Sequence, residues 1–221
     1  MRKISNIEIK KLEGLYKLNK LTDLEKETKK LLKIENNHVV LLNILGVVYL
    51  KKNIFNKAEL IFKKILSQNF NDANALKNLG ETYRKINKIS HAIKYYELYL
   101  KINSNDNEII NNLALCYLKN KKFKLAINYF RELSKNNPQN QGYSTNLAVA
   151  LIESLNFKEA MKILEDLLDK NINNGDALGR YLFNQNYNPQ IDLNKVNSYI
   201  EKFYQSYKKE NLNIRSSFLR N

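Results

Sequence analysis

A chain of 221 residues with 43% apolar residues, 2 Pro and 6 Gly can bury a core and holds too few breakers for a turn-rich β protein, so helices joined by short turns are expected. A single cysteine, Cys116, excludes an internal disulfide framework and suits a reducing compartment. No stretch approaches the roughly 18 apolar residues of a spanning helix, and Met1 to Lys11 lacks the apolar run of a signal peptide, so a cytoplasmic protein without a membrane segment is expected.

The net charge of +15 invites a nucleic-acid reading, but it is spread along the whole chain. Lys, Asn and Ile are abundant together, as in the products of AT-rich genomes. The basic clusters, Lys51 with Lys52 and Lys119 with Lys121, Lys122 and Lys124, fall where turns between helices are expected. A basic stripe with interleaved aromatics is missing, so binding to RNA or an anionic surface is the alternative reading and not the first.

Taken in chain order, the dominant signal is an interval of 34 residues. Six columns share it: Leu45, Leu79, Leu113 and Leu147; Gly46, Gly80, Ala114 and Ala148; Tyr49, Tyr83, Tyr117 and Leu151; Phe55, Ile89, Phe123 and Phe157; Ala58, Ala92, Ala126 and Ala160; Phe62, Tyr96, Phe130 and Leu164. Residues 1–38 form a degenerate first unit, with Leu21, Leu24 and Leu31 at second-helix positions but Lys11 and Leu12 where Leu and Gly should stand. Four regular units follow at 39–72, 73–106, 107–140 and 141–174. Residues 175–221 close the array with a helix bearing Leu178, Tyr181 and Leu182, then a junction, then an amphipathic helix bearing Val196, Tyr199, Ile200, Phe203, Tyr204 and Tyr207.

Within the block 73–106 the first helix carries Leu76, Leu79, Gly80 and Tyr83 at i, i+3, i+4 and i+7, and the second carries Ile89, Ala92, Ile93, Tyr96 and Tyr99. Small residues at Gly80 and Ala92 are expected where the two helices approach most closely, with Tyr83 and Tyr96 filling the wider space on either side.

This pattern, L-G-x-x-Y followed by A-x-x-x-[FY] at a period of 34, resembles the tetratricopeptide repeat. Leu42, Leu76 and Ile110 fill its usual Trp column, and its usual Pro occurs only as Pro138. The resemblance implies an all-α fold, a right-handed α-solenoid of helix-turn-helix repeats whose first helices line a concave groove that binds extended peptide segments. Terminal repeats are expected to be atypical, as these are.

Asn78, Asn112 and Asn146 hold the same place in consecutive repeats. Each amide offers an acceptor and two donors, enough to grip a peptide backbone without reading side chains, or to bond between neighbouring helices. The column breaks at Ile44 and Arg180. The same register nominates Asn43, Lys77, Glu81, Arg84, Asn111 and Lys119 for the groove. Lys77 and Arg84 could receive a C-terminal carboxylate, as in chaperone-binding members of the family.

The segment from Gly179 to Pro189, GRYLFNQNYNP, resembles the junction that joins such repeats to the catalytic region in bacterial relatives of O-linked N-acetylglucosamine transferase, with Arg180 for Asn and Gln185 for Leu. That resemblance implies the substrate-recognition arm of a protein O-glycosyltransferase system, with Asn78, Asn112 and Asn146 as its asparagine ladder. The nucleotide-sugar domains of that family would follow the junction; here no strand-helix alternation and no Gly-rich phosphate loop follows, so no sugar transfer is expected of this chain alone. Only His38 and His91 could act as neutral-pH bases, without Cys or carboxylate at metal-ligand spacing. No catalytic residue, metal or cofactor is therefore expected, and the partner is expected to be a protein or peptide. The end faces of such an array can also pair with a second copy, though no column specifies it.

Overall fold

The computed structural model describes residues 4–185 and 192–218, and among these every regular element is a helix. In chain order they are α1 (Asn6–Lys17), α2 (Leu21–Leu32), α3 (Val39–Lys51), α4 (Phe55–Gln68), α5 (Ala73–Lys85), α6 (Ile89–Leu100), α7 (Asn107–Lys119), α8 (Phe123–Asn136), α9 (Gln141–Glu153), α10 (Phe157–Lys170), α11 (Gly175–Gln185) and α12 (Leu193–Phe218). This is the all-α repeat architecture expected from the columns. Two compact units divide the chain, Met1–Asn120 and Lys121–Asn221. Within each, a helix packs on its chain neighbours, and α3 also packs on α5. None of the described helices is long and apolar enough to cross a membrane.

The start of each first helix follows a column that the apolar periodicity does not reveal. His38, Asp72, Asp106, Asn140 and Asn174 recur at the same 34-residue interval, and each side chain accepts a backbone N–H of the helix it opens: from Leu41, Ala75, Ile109, Gly142 and Ala177 respectively. A capped N-terminus stabilises a helix by about 1 kcal/mol. Ser5 does the same for α1, with Glu8 returning the bond to the Ser5 N–H.

The turn inside each repeat is equally regular. Asn19, Asn53, Asn87, Lys121 and Leu155 have φ of 54°, 58°, 62°, 56° and 65°. The residue after four of them closes back by five: the N–H groups of Lys20, Ile54, Lys88 and Asn156 donate to the carbonyls of Leu15, Tyr49, Tyr83 and Leu151 at 2.8–2.9 Å. This left-handed cap satisfies carbonyls that a helix end leaves open, and asparagine tolerates the conformation better than other non-glycine residues. Lys51 and Lys119 are the last residues of their helices and Lys124 lies inside α8, so only part of each basic cluster is in the turn.

The core inside a repeat shows what the small residues of the first helix make room for. What comes nearest Gly80 is a ring: a Cβ there would lie 2.7 Å from the Tyr96 ring, and one on Gly46 would lie 2.5 Å from the Phe62 ring. The aromatic column of the second helix thus seats in a notch cut into the first. The notch column becomes alanine twice: Ala148 goes with Leu164 in the ring column, whereas Ala114 keeps an aromatic, Phe130, and all four are fully buried. In the first repeat the sizes reverse. Leu12 stands at the notch position and Thr28 at the ring position, both buried, which is how that repeat keeps its core without the usual residues.

At the far end α12 joins α10 and α11 in a shared core through Val196 and Tyr199, with Phe203 half-buried against it. The Tyr181 and Tyr199 rings meet edge-on with centroids 5.3 Å apart. The amphipathic helix is present, but its apolar stripe is only partly covered: Ile200, Tyr204 and Tyr207 are exposed. Residues 186–189 of the junction, with the two that follow, lie outside the described residues, so the resemblance there rests on sequence; Asn184 and Gln185 before them are buried, and Asn184 Nδ2 donates to the Arg180 carbonyl.

Two stability predictions arise. Gly80→Ala should cost about 1–3 kcal/mol in urea unfolding, and adding Tyr96→Leu should recover part of it, copying the Ala148 and Leu164 combination. Strictly additive losses would refute the notch. Leu155, 75% exposed with φ of 65°, buries little in exchange for its strained backbone; Leu155→Gly should therefore raise the urea midpoint, by about 0.5–1 kcal/mol in free energy.

Candidate functional site

The residues that could do chemistry are committed elsewhere. His38 caps α3 through Nδ1, and the His91 ring lies against Tyr83 with centroids 5.0 Å apart. Cys116 is buried, and burial pushes its thiol up to about 11, leaving it protonated and unreactive at neutral pH. Among the described residues no group of three or more His, Cys, Asp or Glu is arranged to hold a metal ion.

Cavities of about 700 and 490 Å³ in the second unit carry mixed polar and apolar linings, whereas one of about 370 Å³ in the first unit, on the face formed by the first helices α1, α3 and α5, is lined mostly by apolar side chains and is the candidate site. Its origin is legible in α3, VVLLNILGVVYLK, which is apolar nearly all round. Leu41, Leu42, Leu45, Val48 and Tyr49 are spent on the core. Val40, Ile44 and Val47 are left on the opposite face, where they floor the cavity. In α5 the same three places hold Asn74, Asn78 and Glu81, so the apolar floor belongs to this end of the unit alone. Tyr16 and Lys17 of α1 form one wall, and Asn74 and Asn78 of α5 the other.

Of the nominated groove residues, Asn43 and Asn78 line this cavity. Asn43 Oδ1 is buried and accepts no hydrogen bond among the described residues; a buried acceptor left unmet costs about 1–3 kcal/mol. Asn78 and Asn112 are half-buried, and no hydrogen bond to either amide side chain occurs among the described residues. Asn111 and Asn146 are half-buried and already engaged within the chain. Asn146 lies on α9 in the second unit and is not among the residues that line the cavity. Lys119 is exposed at the end of α7.

The remaining three are tied up in internal pairs. Arg84 grips Glu81 with two hydrogen bonds of 2.7 Å, and the Tyr96 hydroxyl donates to the same carboxylate at 2.9 Å. The Glu81 carboxylate holds the Arg84 guanidinium above its ordinary range. Lys77 reaches Asp106 and Glu108 at 3.5 and 3.4 Å. Lys77 and Arg84 are thus already neutralised by the chain's own carboxylates, which weakens the expectation that they receive a C-terminal carboxylate.

Sequence reasoning missed Tyr16, Val40, Ile44 and Val47. It treated Ile44 as a break in the asparagine column; the signal that would have found them is that α3 alone among the first helices is apolar on the face turned away from the core.

The sequence model of the family described as anaphase-promoting complex, cyclosome, subunit 3 matches residues 85–167. No curated protein matches in sequence. Among solved structures, YrrB, described as a TPR protein with an unusual peptide-binding site, is similar with a TM-score of 0.70 at 20% identity, over 80% of this chain and 91% of that one. MamA from Desulfovibrio magneticus gives 0.69 at 16% identity, over 74% and 92%. A tetratricopeptide repeat protein from Parabacteroides merdae gives 0.74 at 18%, over 90% and 78%. At these identities the likeness establishes the fold, which is that of tetratricopeptide repeats.

Carboxylates and tyrosines that serve each other set a pH window for this fold. The Tyr83, Tyr96, Tyr99, Tyr117, Tyr181 and Tyr199 hydroxyls donate to Glu59, Glu81, Asp106, Glu97, Glu165 and Asp169. Burial, then the bond to Asp106, pushes Tyr99 up to about 12, and burial foremost raises Tyr96, Tyr181 and Tyr199 as well. Hydrogen bonds from Lys29 and Lys52 hold Glu25 below the usual carboxylate range, and Lys63 does so for Glu59. Depressed carboxylates contribute stability that is present above their unfolded pKa and lost as pH falls through the folded one; raised tyrosines contribute stability that is lost as pH climbs past about 10. The urea midpoint should therefore be flat from about pH 6 to 9 and fall below about pH 4 and above about pH 10. A midpoint unchanged at pH 11 would contradict the tyrosine assignment.

Proposed function

We propose that this protein is a protein-interaction scaffold, not an enzyme in its own right, and that the groove over α1, α3 and α5 holds a segment of a partner protein. The observation that carries the reading is a cavity of about 370 Å³ with an apolar floor and Asn43 and Asn78, whose hydrogen bonding the chain leaves incomplete, at its edge. Apolar walls supply most of the affinity of such a site, and a few polar groups fix orientation. Asn78 and, further along the unit, Asn112 offer both a donor and an acceptor to a peptide backbone. The likeness to YrrB, whose description includes peptide binding, supports the same use of the fold.

A finer reading makes this groove the recognition arm of a protein O-glycosyltransferase system. Its support is the sequence from Gly179 to Pro189 and the asparagine column at Asn78, Asn112 and Asn146. Binding of RNA or an anionic surface by the basic chain is the competing reading, and an apolar floor disfavours it.

A randomised 12-residue displayed peptide library panned on the folded chain should yield binders carrying two or more apolar residues. The double variant Val40→Glu/Ile44→Asn should weaken them at least about tenfold, the scale expected for losing one buried apolar anchor. Its helical circular dichroism should be unchanged, because Val40 is exposed and asparagine already occupies the Ile44 place in three other repeats. Unaltered binding by that variant would sink the groove as the site.

A further inference from the structure

The last residue of every first helix in the first unit is a lysine: Lys17, Lys51, Lys85 and Lys119, again at the 34-residue interval. The turns that follow continue the bias. Residues 17–20, 51–54, 85–88 and 119–120 read KLNK, KKNI, KINK and KN, seven lysines without an Asp or Glu. Complementing the helix dipole is a general reason to find a cation at a helix C-terminus. It does not by itself account for an unbroken column: α2, α8 and α10 also end on a lysine-bearing turn, but α9 and α11, the first helices of the second unit, have no basic residue there, and neither do α4 and α6.

The lysine edge is joined to the groove. Lys17 lines the cavity, and the Lys51 ammonium lies 4.4 Å from the centroid of the Tyr16 ring that forms its wall. Little of this charge is answered within the chain. Lys17 and Lys119 make no ion pair among the described residues, and Lys85 is 3.9 Å from Glu81, which Arg84 already holds in two hydrogen bonds. Of the turn lysines, Lys52 is paired, with Glu25 at 2.7 Å. The first unit as a whole has 22 Lys and Arg against 12 Asp and Glu. Six of those twelve, Glu25, Glu59, Glu81, Glu97, Asp106 and Glu108, are tied up in the ion pairs and tyrosine hydrogen bonds described above or in the Glu59 pair with Lys63.

We propose that the partner segment is bipartite, with apolar residues seated on Val40, Ile44 and Val47 and an acidic stretch running along the lysine edge past Lys51, Lys85 and Lys119. This rests on the groove reading and goes beyond it by naming the partner's chemistry. Charge complementarity selects the acidic stretch, and the contiguous apolar floor requires that the same segment carry aliphatic or aromatic side chains. A polynucleotide satisfies the lysines but has nothing to place on that floor, so a peptide fits both halves and RNA fits one.

The experiment uses the full chain and a randomised 12-residue displayed library. Binders selected on it should be enriched in Asp and Glu to one side of an apolar cluster. Changing the acidic residues of a selected peptide to Gln or Asn should weaken it about tenfold by fluorescence anisotropy, consistent with two or three exposed ion pairs of up to about 1 kcal/mol each. The variant Lys85→Glu/Lys119→Glu, altered at two exposed positions outside the cavity, should lose that preference while binding the amide-substituted peptide as before. Apolar binders without acidic enrichment would overturn the lysine edge and leave the groove standing. Acidic binders that tolerate Val40→Glu/Ile44→Asn would overturn both, as would oligo(U) RNA displacing the peptide from the parent chain at lower concentration than the peptide itself.

Discussion

A ring seated in a notch is the contact on which this molecule is built. Within a repeat the second helix can lie close to the first because Gly46 and Gly80 leave room for Phe62 and Tyr96, with less than 3 Å between the ring and where a Cβ would be. That closeness brings Ala58 and Ala92 to full burial and lets the tyrosines of the next column close the gap beyond. Since an interior tolerates neither voids nor overlap, glycine with a ring and alanine with leucine are two ways of filling the same space, while Ala114 with Phe130 shows that one methyl is also accommodated. Ala148 opposite Leu164, and Leu12 with Thr28, are the same constraint solved with other volumes. The first repeat looks degenerate when its columns are read singly, and regular when read as a sum.

How much of this was legible follows from where each signal lives. The helices, their period and the buried columns were readable because burial imposes 3.6-residue spacing on apolar residues and the repeat copies it. The capping column His38, Asp72, Asp106, Asn140 and Asn174 was equally present but carries no hydrophobic signature, and a histidine at its head disguises it. The left-handed turn residues Asn19, Asn53 and Asn87 announce themselves; Lys121 and Leu155, at the same backbone angle, do not.

The groove was legible only in part, for a physical reason. Register alone locates a face, and it found Asn43 and Asn78. It does not say which polar residues on that face are already spent. Lys77, Glu81 and Arg84 face outward by periodicity, yet each is held by partners on its own or a neighbouring helix, and such partners are fixed by three-dimensional distance and not by spacing. The apolar floor does not show in the repeat columns, because Ile44 stands against asparagines in the later repeats and only Val40 and Val47 beside it make it part of an apolar patch.

The tyrosines connect this packing to the surface. A buried phenol needs an acceptor for its hydroxyl, and here carboxylates supply it, so acidic side chains are drawn inward to the repeat interfaces. Three of these carboxylates also hold a cation, Lys63 on Glu59, Arg84 on Glu81 and Lys77 on Asp106, none of them in the turns that follow the first helices. The positive excess of the first unit is set by its composition, and it gathers where carboxylates are missing from the sequence altogether, in the turns after α1, α3, α5 and α7. Those turns leave the edge beside the groove open to an acidic partner.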